Sequence, residues 1–137
     1  MVIETELTAA QLNAAYQAGQ RHFASVEIVG AEEFPSVSNI CLNGTTFISC
    51  WFHSATFENV DFGRARFVGC NLKCTTFRGC NLSGSSWEAC AVEDLSISTC
   101  ETVDVTASDL GAYGGTIDGA SSFLEYAHDN ARRDATP

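Results

Sequence analysis

The chain has 137 residues, enough for one domain, and 45% of them are hydrophobic, too many for a disordered polymer. Its net charge of −10, from 17 acids against 7 bases, sets the surface against phosphate, so neither nucleic acid nor an anionic membrane is an expected partner. No apolar run is long enough to span a bilayer, the first eleven residues carry acids where an export signal needs bases, and the cysteines number seven, so a cytoplasmic location with free thiols is expected.

The first predicted element is a helix from Thr8 to about Gln20. Thr8 and Gln11 have the spacing of a capping box, Leu12, Ala15, Tyr16 and Gly19 share a face, and Gly19 suits the C-terminal end. Val26-Glu27-Ile28 reads as a first, degenerate repeat. From Val29 to Asn39 the register breaks, with Phe34 one residue late and Pro35 behind it, so a loop or bulge is expected.

A period of five then takes over. A large apolar residue stands at Leu42, Phe47, Phe52, Phe57, Phe62, Phe67, Leu72, Phe77, Leu82, Trp87, Val92 and Ile97. Two residues before each is a mostly small or apolar residue: Ile40, Thr45, Cys50, Ala55, Val60, Ala65, Cys70, Thr75, Cys80, Ser85, Cys90 and Leu95, with Cys100 following. A helix repeats at 3.6 and a flat strand at 2, so neither explains the pattern. Short strands joined by regular corners do. A chain built that way winds into a coil whose turns depend on one another for their core.

The segments Cys70-Asn71-Leu72, Cys80-Asn81-Leu82 and Ala65-Arg66-Phe67 resemble the A-(D/N)-L-X-X unit of pentapeptide-repeat proteins, and the resemblance runs unbroken from Ile40 to Ile97. It implies an all-β solenoid, a right-handed four-sided β-helix with four pentapeptides per turn, between an N-terminal capping helix and a short C-terminal helix. Ala15 to Phe23 is similar to the lead-in of many cyanobacterial-type members. Twenty residues per turn would stack Phe52 with Leu72 and Val92, Phe57 with Phe77 and Ile97, Leu42 with Phe62 and Leu82, and Phe47 with Phe67 and Trp87. Three full turns with ragged ends are expected. The segments are 1–25 for helix and cap, 26–110 for the coil, and 111–137 for a loop and helix.

In that frame Cys50, Cys70 and Cys90 form one inward ladder and Cys80 and Cys100 another, while Cys41 and Cys74 point outward. Parallel thiols among Phe and Leu suit neither a tetrahedral zinc nor a disulfide, and no CxxC pair exists. Beyond the ladders, Val103-Asp104-Val105 and Ser108-Asp109-Leu110 read as repeats displaced by three residues, followed by a Gly-rich loop from Gly111 to Gly119. A helix from Ser121 or Ser122 to about Arg133 follows, with Ser122 and Glu125 as a capping box, Phe123 and Ala127 on one face, and Arg132 and Arg133 at the negative end. It caps the coil or docks a second subunit, so the chain is a monomer or a homodimer joined through an end cap.

No catalytic motif is present, and His22, His53 and His128 lie in three separate regions. A pairing of His53 with Cys74 lacks an orienting third group. Catalytic, cofactor and metal residues are accordingly none, and a binding or scaffold role with a protein partner is expected. The departures from a polar outer surface are Trp51, Ile48 and Val68, with Val29, Cys41 and Cys74 as further ones. His53 and Lys73 supply a polar rim on the same side. That patch is either free or covered by residues 29–39. The alternative implied by the resemblance is a DNA mimic that binds DNA gyrase, as quinolone-resistance members do. Against it, Arg64, Arg66, Lys73 and Arg78 form a basic band ahead of Glu88, Glu93, Asp94, Glu101, Asp104 and Asp109.

Overall fold

The structure is a computed structural model that describes residues 1–135, so the last two residues of the 111–137 segment lie outside it. The N-terminal elements are β1 (Thr5–Leu7), helix α1 (Ala9–Gln17), β2 (His22–Ala24), β3 (Val26–Ile28) and β4 (Ser36–Ser38). A strict ten-residue rhythm of strands follows: β5 (Thr46–Ile48), β6 (Thr56–Glu58), β7 (Arg66–Val68), β8 (Thr76–Arg78), β9 (Ser86–Glu88), β10 (Ser96–Ser98) and β11 (Thr106–Ser108). The chain ends in a hairpin of β12 (Leu110–Ala112) and β13 (Gly115–Ile117), then helix α2 (Ala120–Asp134).

The coil has four sides of two kinds. Two opposite sides are parallel sheets, β2-β5-β7-β9-β11 and β4-β6-β8-β10. The other two are ladders of single bridges, Trp51–Asn71–Ala91–Gly111 and Cys41–Asp61–Asn81–Glu101. Pairing across twenty residues is observed directly, with Phe47 opposite Phe67, Phe57 opposite Phe77 and Ile97 opposite Phe77. All twelve predicted central residues are buried. Five strands stacked on one side make about five turns, more than the three expected, because both ends carry turns whose residues disguise the repeat.

The corners explain how a five-residue unit can turn through a right angle. Every fifth residue from Asn39 through Gly114 has a φ between +53° and +78°. Most are not glycine, and each such corner costs about 1–2 kcal/mol in an L-residue. The corner amides offset this by donating to the turn above, as Ser49 N does to Val68 O at 2.9 Å and Asn59 N to Arg78 O at 3.0 Å. Thr99 is β-branched at such a corner. Its hydroxyl donates to Ser98 O and accepts from Gly79 N, which ties that corner to the turn below.

Inside, rings stack along the axis within a side and meet edge-on across sides. Phe47 lies 5.4 Å from Phe67 and Phe57 lies 5.2 Å from Phe77, each pair nearly parallel. Phe47 meets Phe52 and Phe57 meets Phe62 at close to right angles. These are the two arrangements that the ring quadrupole favours. The small inward slot has a polar logic of its own. Cys70 donates to Phe47 O at 3.3 Å, Cys80 to Phe57 O, Cys90 to Phe67 O, and Thr75 to Phe52 O at 2.8 Å. A thiol or hydroxyl there adds a hydrogen bond to an inward carbonyl that an apolar side chain in the slot could not make.

All seven thiols are free. Cys50, Cys70, Cys80 and Cys90 are buried, but Cys100 is only half-buried, because the last turn above it is incomplete. The sulfurs of Cys50 and Cys90 on either side, together with burial, push the Cys70 thiol far above its ordinary range. Cys74 is exposed, yet partial desolvation and the nearby Asp94 and Glu93 carboxylates raise its pKa. A raised pKa means less thiolate at neutral pH, and the thiolate is what alkylates. Because it is exposed, Cys74 is nevertheless expected to label in the native protein, at a rate that keeps climbing as pH rises past the ordinary thiol range. The buried ladder cysteines, Cys50, Cys70, Cys80 and Cys90, should label only on unfolding, whereas the half-buried Cys100, whose pKa is lowered by hydrogen bonding from Cys80, should label in the native protein as well. Quantitative iodoacetamide labelling with peptide mass analysis checks this, and fast labelling of Cys70 or Cys90 would contradict it.

The ends account for four corrections. First, Phe34 is not a misplaced core residue. It is exposed, while Val37 is buried in register and pairs with Phe57. Second, no three-residue slip occurs after Ile97. The period continues, with Thr102, Ala107 and Ala112 at the central positions and Val105 and Leu110 buried in the slots two residues before Ala107 and Ala112. Large and small residues have exchanged places there, which imitates a shift of register. Third, residues 111–119 are not one irregular loop, since most of them belong to the hairpin of β12 and β13. Fourth, the proposed capping box of Ser122 and Glu125 is absent. Helix α2 starts earlier, at Ala120, from Gly119, which has no side chain to cap with.

The two helices close the coil. The Thr8–Gln11 capping box of α1 is formed in both directions, Leu12 is buried, and the Tyr16 hydroxyl donates to Asn43 O at 2.9 Å. At the other end Phe123 and Ala127 are fully buried, Asn130 donates to Leu95 O at 2.8 Å and Tyr126 donates to Val92 O. Helix α2 thus caps its own coil.

Candidate functional site

The largest irregularity of the coil lies on its first turn. Phe23 pairs with Phe47 and Glu27 with Trp51, so these partners are twenty-four residues apart instead of twenty. Four extra residues therefore lie between β3 and β4. Val29 is anchored by its amide to Leu7 O at 2.9 Å, and Pro35 accepts from Thr56 N at 2.9 Å. Between these anchors the chain makes a tight excursion, close enough that a Cβ on Gly30 would sit 3.8 Å from the Pro35 backbone. Phe34 on that excursion is 59% exposed.

The excursion forms one wall of a groove of about 370 Å³. Trp51, His53 and Ser54 form the opposite wall, and Glu27, Glu32, Glu33, Phe34 and Pro35 line the rest. The Trp51 and His53 rings stack at 5.6 Å, and His53 Nδ1 shares a hydrogen bond with Ser54 Oγ at 3.0 Å. His53 is thereby committed to Trp51 and Ser54, and the pairing with Cys74 is not formed.

The five predicted surface residues fall into two groups. Ile48 and Val68 are stacked neighbours on β5 and β7. Trp51 and His53 stand on the next side, with Lys73 one turn above, where Lys73 O accepts from Ser54 N. All five are half-buried, and Trp51 is not the open side chain the repeat frame implied. The segment 29–39 runs beside Trp51 and does not bury it. Sequence reasoning missed Phe34 and the two glutamates before it, since only the four-residue surplus, visible once Phe23 is paired with Phe47, shows that they form a wall.

The basic band is largely answered by neighbours. Arg78 pairs with Glu58 at 2.9 Å, Lys73 with Glu93 at 3.7 Å, and Arg64 bonds Asn43 at 2.7 Å. Cys41 lies against the Tyr16 hydroxyl and Asp61 and helps to tie α1 to the coil. Among the described residues, no three His, Cys, Asp or Glu side chains converge as metal ligands, and no helix is long and apolar enough to cross a membrane.

Comparison with known proteins places this geometry in a family. Two solved structures of trypsin-treated variants of QnrB1, described as a plasmid-mediated fluoroquinolone resistance protein, align with 83% of this chain and 70% of theirs. The identity is 14% and the TM-score 0.28, too loose a fit to carry an argument from one to the other. No curated protein matches. The family model for the pentapeptide repeat region matches residues 41–111, more than half the chain and the stretch over which the five-residue corners and twenty-residue pairing are observed. The chain belongs to the pentapeptide-repeat family.

Proposed function

We propose that the protein is a non-catalytic interaction module that holds a protein partner in the groove between residues 29–35 and Trp51. The observation that carries this reading is Phe34, a large aromatic held in the open on a four-residue surplus that covers no core. An aromatic exposed beside a half-buried Trp has the composition of an interface anchor. The groove is open, and although Ser54 Oγ is bonded to His53 Nδ1, among the described residues no carboxylate is hydrogen-bonded to that imidazole to orient it.

Binding energy should concentrate in Phe34 and Trp51, so Phe34→Ala and Trp51→Ala are each expected to weaken partner binding by about 2 kcal/mol or more. Phe34→Ala should leave stability unchanged. Trp51→Ala should cost about 1 kcal/mol through the lost stack on His53. The test is affinity capture from the source cell with quantitative mass spectrometry, comparing wild type, both variants and Val103→Ala, a control on the distant last turn. The expected result is a partner retained by wild type and Val103→Ala and lost by the groove variants. An identical capture profile for Phe34→Ala overturns the proposal. The gyrase alternative needs an unbroken acidic track, and the exposed Arg64 and Arg66 interrupt it. DNA supercoiling by gyrase is therefore expected to be unaffected by the protein.

A further inference from the structure

The groove has a chemical character beyond being partly aromatic. Three carboxylates, Glu27, Glu32 and Glu33, line it together with Trp51 and Phe34. Elsewhere, Glu58 and Glu93 on the coil and Asp129 on α2 each have a cationic partner. Among the described residues Glu27, Glu32 and Glu33 have none. Acids beside aromatic faces, with no lysine or arginine in the lining, make a surface complementary to a cation.

The kind of cation follows from the spread of the acids. Since no three ligating side chains converge, the carboxylates do not gather around a point charge such as a metal ion. They are distributed along a groove whose opposite wall is a flat Trp–His stack. A planar, delocalised cation carried on a chain fits that layout. A guanidinium lies flat on an aromatic ring while its edge donates two parallel hydrogen bonds to a carboxylate, and an ammonium does neither as well.

We propose that the groove takes an arginine side chain from an extended basic segment of a partner protein, stacked against Trp51 or Phe34 and paired with Glu32 or Glu33. This rests on the interaction reading above and adds the class of partner. The surplus chain between β3 and β4 then has a purpose, since it brings two acids and an aromatic across from Trp51.

The test is an NMR titration of the isotope-labelled full chain with a blocked tetra-arginine peptide, and with tetra-lysine and tetra-glutamine peptides as comparators. Tetra-arginine is expected to give saturable shifts at the Trp51 indole N–H and the Gly30 and Glu33 amides. Tetra-lysine should bind several-fold more weakly, and tetra-glutamine should give no shifts. The double variant Glu32→Gln, Glu33→Gln should weaken tetra-arginine binding about tenfold, and so should Trp51→Ala, which leaves the net charge untouched. If tetra-arginine shifts Glu101, Asp104 and Asp109 as strongly as it shifts the groove, the attraction is diffuse charge and the proposal falls. It also falls if the glutamine double variant captures the cellular partner as well as wild type does. In that case, loss of capture by Phe34→Ala would still uphold the groove as an interaction site for a partner that is not cationic.

Discussion

Phe57→Ala is expected to destabilise the protein by about 3–5 kcal/mol, the usual range for truncating a buried Phe. Phe57 is fully buried, stacked on Phe77 and edge-on to Phe52 and Phe62, so its ring touches three of the four sides of the coil. The cost should fall in the upper part of that range because the cavity cannot collapse. Turn-to-turn spacing is set by the backbone ladders, which include the β6–β8 pairing at Phe57 itself. A helix bundle can slide a helix toward a void, but here one side moves inward only by breaking hydrogen bonds to the turns above and below. Against a total of about 5–15 kcal/mol such a loss is a large share. It should lower the melting temperature by about 10–15 °C. Chemical denaturation with an unchanged slope checks the assignment to the folded state. A loss under about 1 kcal/mol would mean that the sides relax independently and that the stack is not cooperative.

The centre of this coil is readable from sequence for a physical reason. Between Leu42 and Ile97 each turn sees the same environment, so one local rule recurs, and a large residue every fifth position can mean only one thing. The ends are harder because the environment there is supplied by residues distant in sequence. Val105 and Leu110 sit in slots that are mostly small elsewhere, and Thr102 and Ala107 take positions that are large elsewhere. That exchange is acceptable because Phe123 comes back to fill the space, and nothing near residue 105 announces it. The same applies to Val37. It holds the register, but the more conspicuous Phe34 and Pro35 draw attention first. The groove was half legible. Trp51, His53 and their neighbours follow from the outward positions of the repeat. The opposite wall depends on how many residues separate Phe23 from Phe47, which only pairing can reveal. The cysteine ladders were legible as small inward residues, whereas their hydrogen bonds to carbonyls one turn below needed coordinates.

Phe123→Ala should cost a similar amount, about 3–5 kcal/mol, but it should fail differently. Phe123 is fully buried with its ring 5.1 Å from Trp87, and it extends the aromatic column of Phe23, Phe47, Phe67 and Trp87 by one member. It is needed because Ala107, the residue that pairs above Trp87, is too small to cover an indole. Helix α2 is then held over the end by polar contacts to the coil backbone, Gly119 N to Ala107 O, Asn130 to Leu95 O and Tyr126 to Val92 O. Those contacts align the helix, but Phe123 and Ala127 supply its buried apolar surface. A solenoid is stabilised turn by turn, so loss of the plug acts first on the turns it touches. Amide exchange in the variant should therefore accelerate in α2, β10 and β11 while β5 to β8 stay protected, and Trp87 emission should shift to the red as water reaches it. Phe57→Ala should instead raise exchange along the whole coil, because it weakens turns that no cap can spare. If Phe123→Ala opened β5 as readily as β11, the coil would be a single cooperative unit, and the helix would be part of its core rather than a lid on its end.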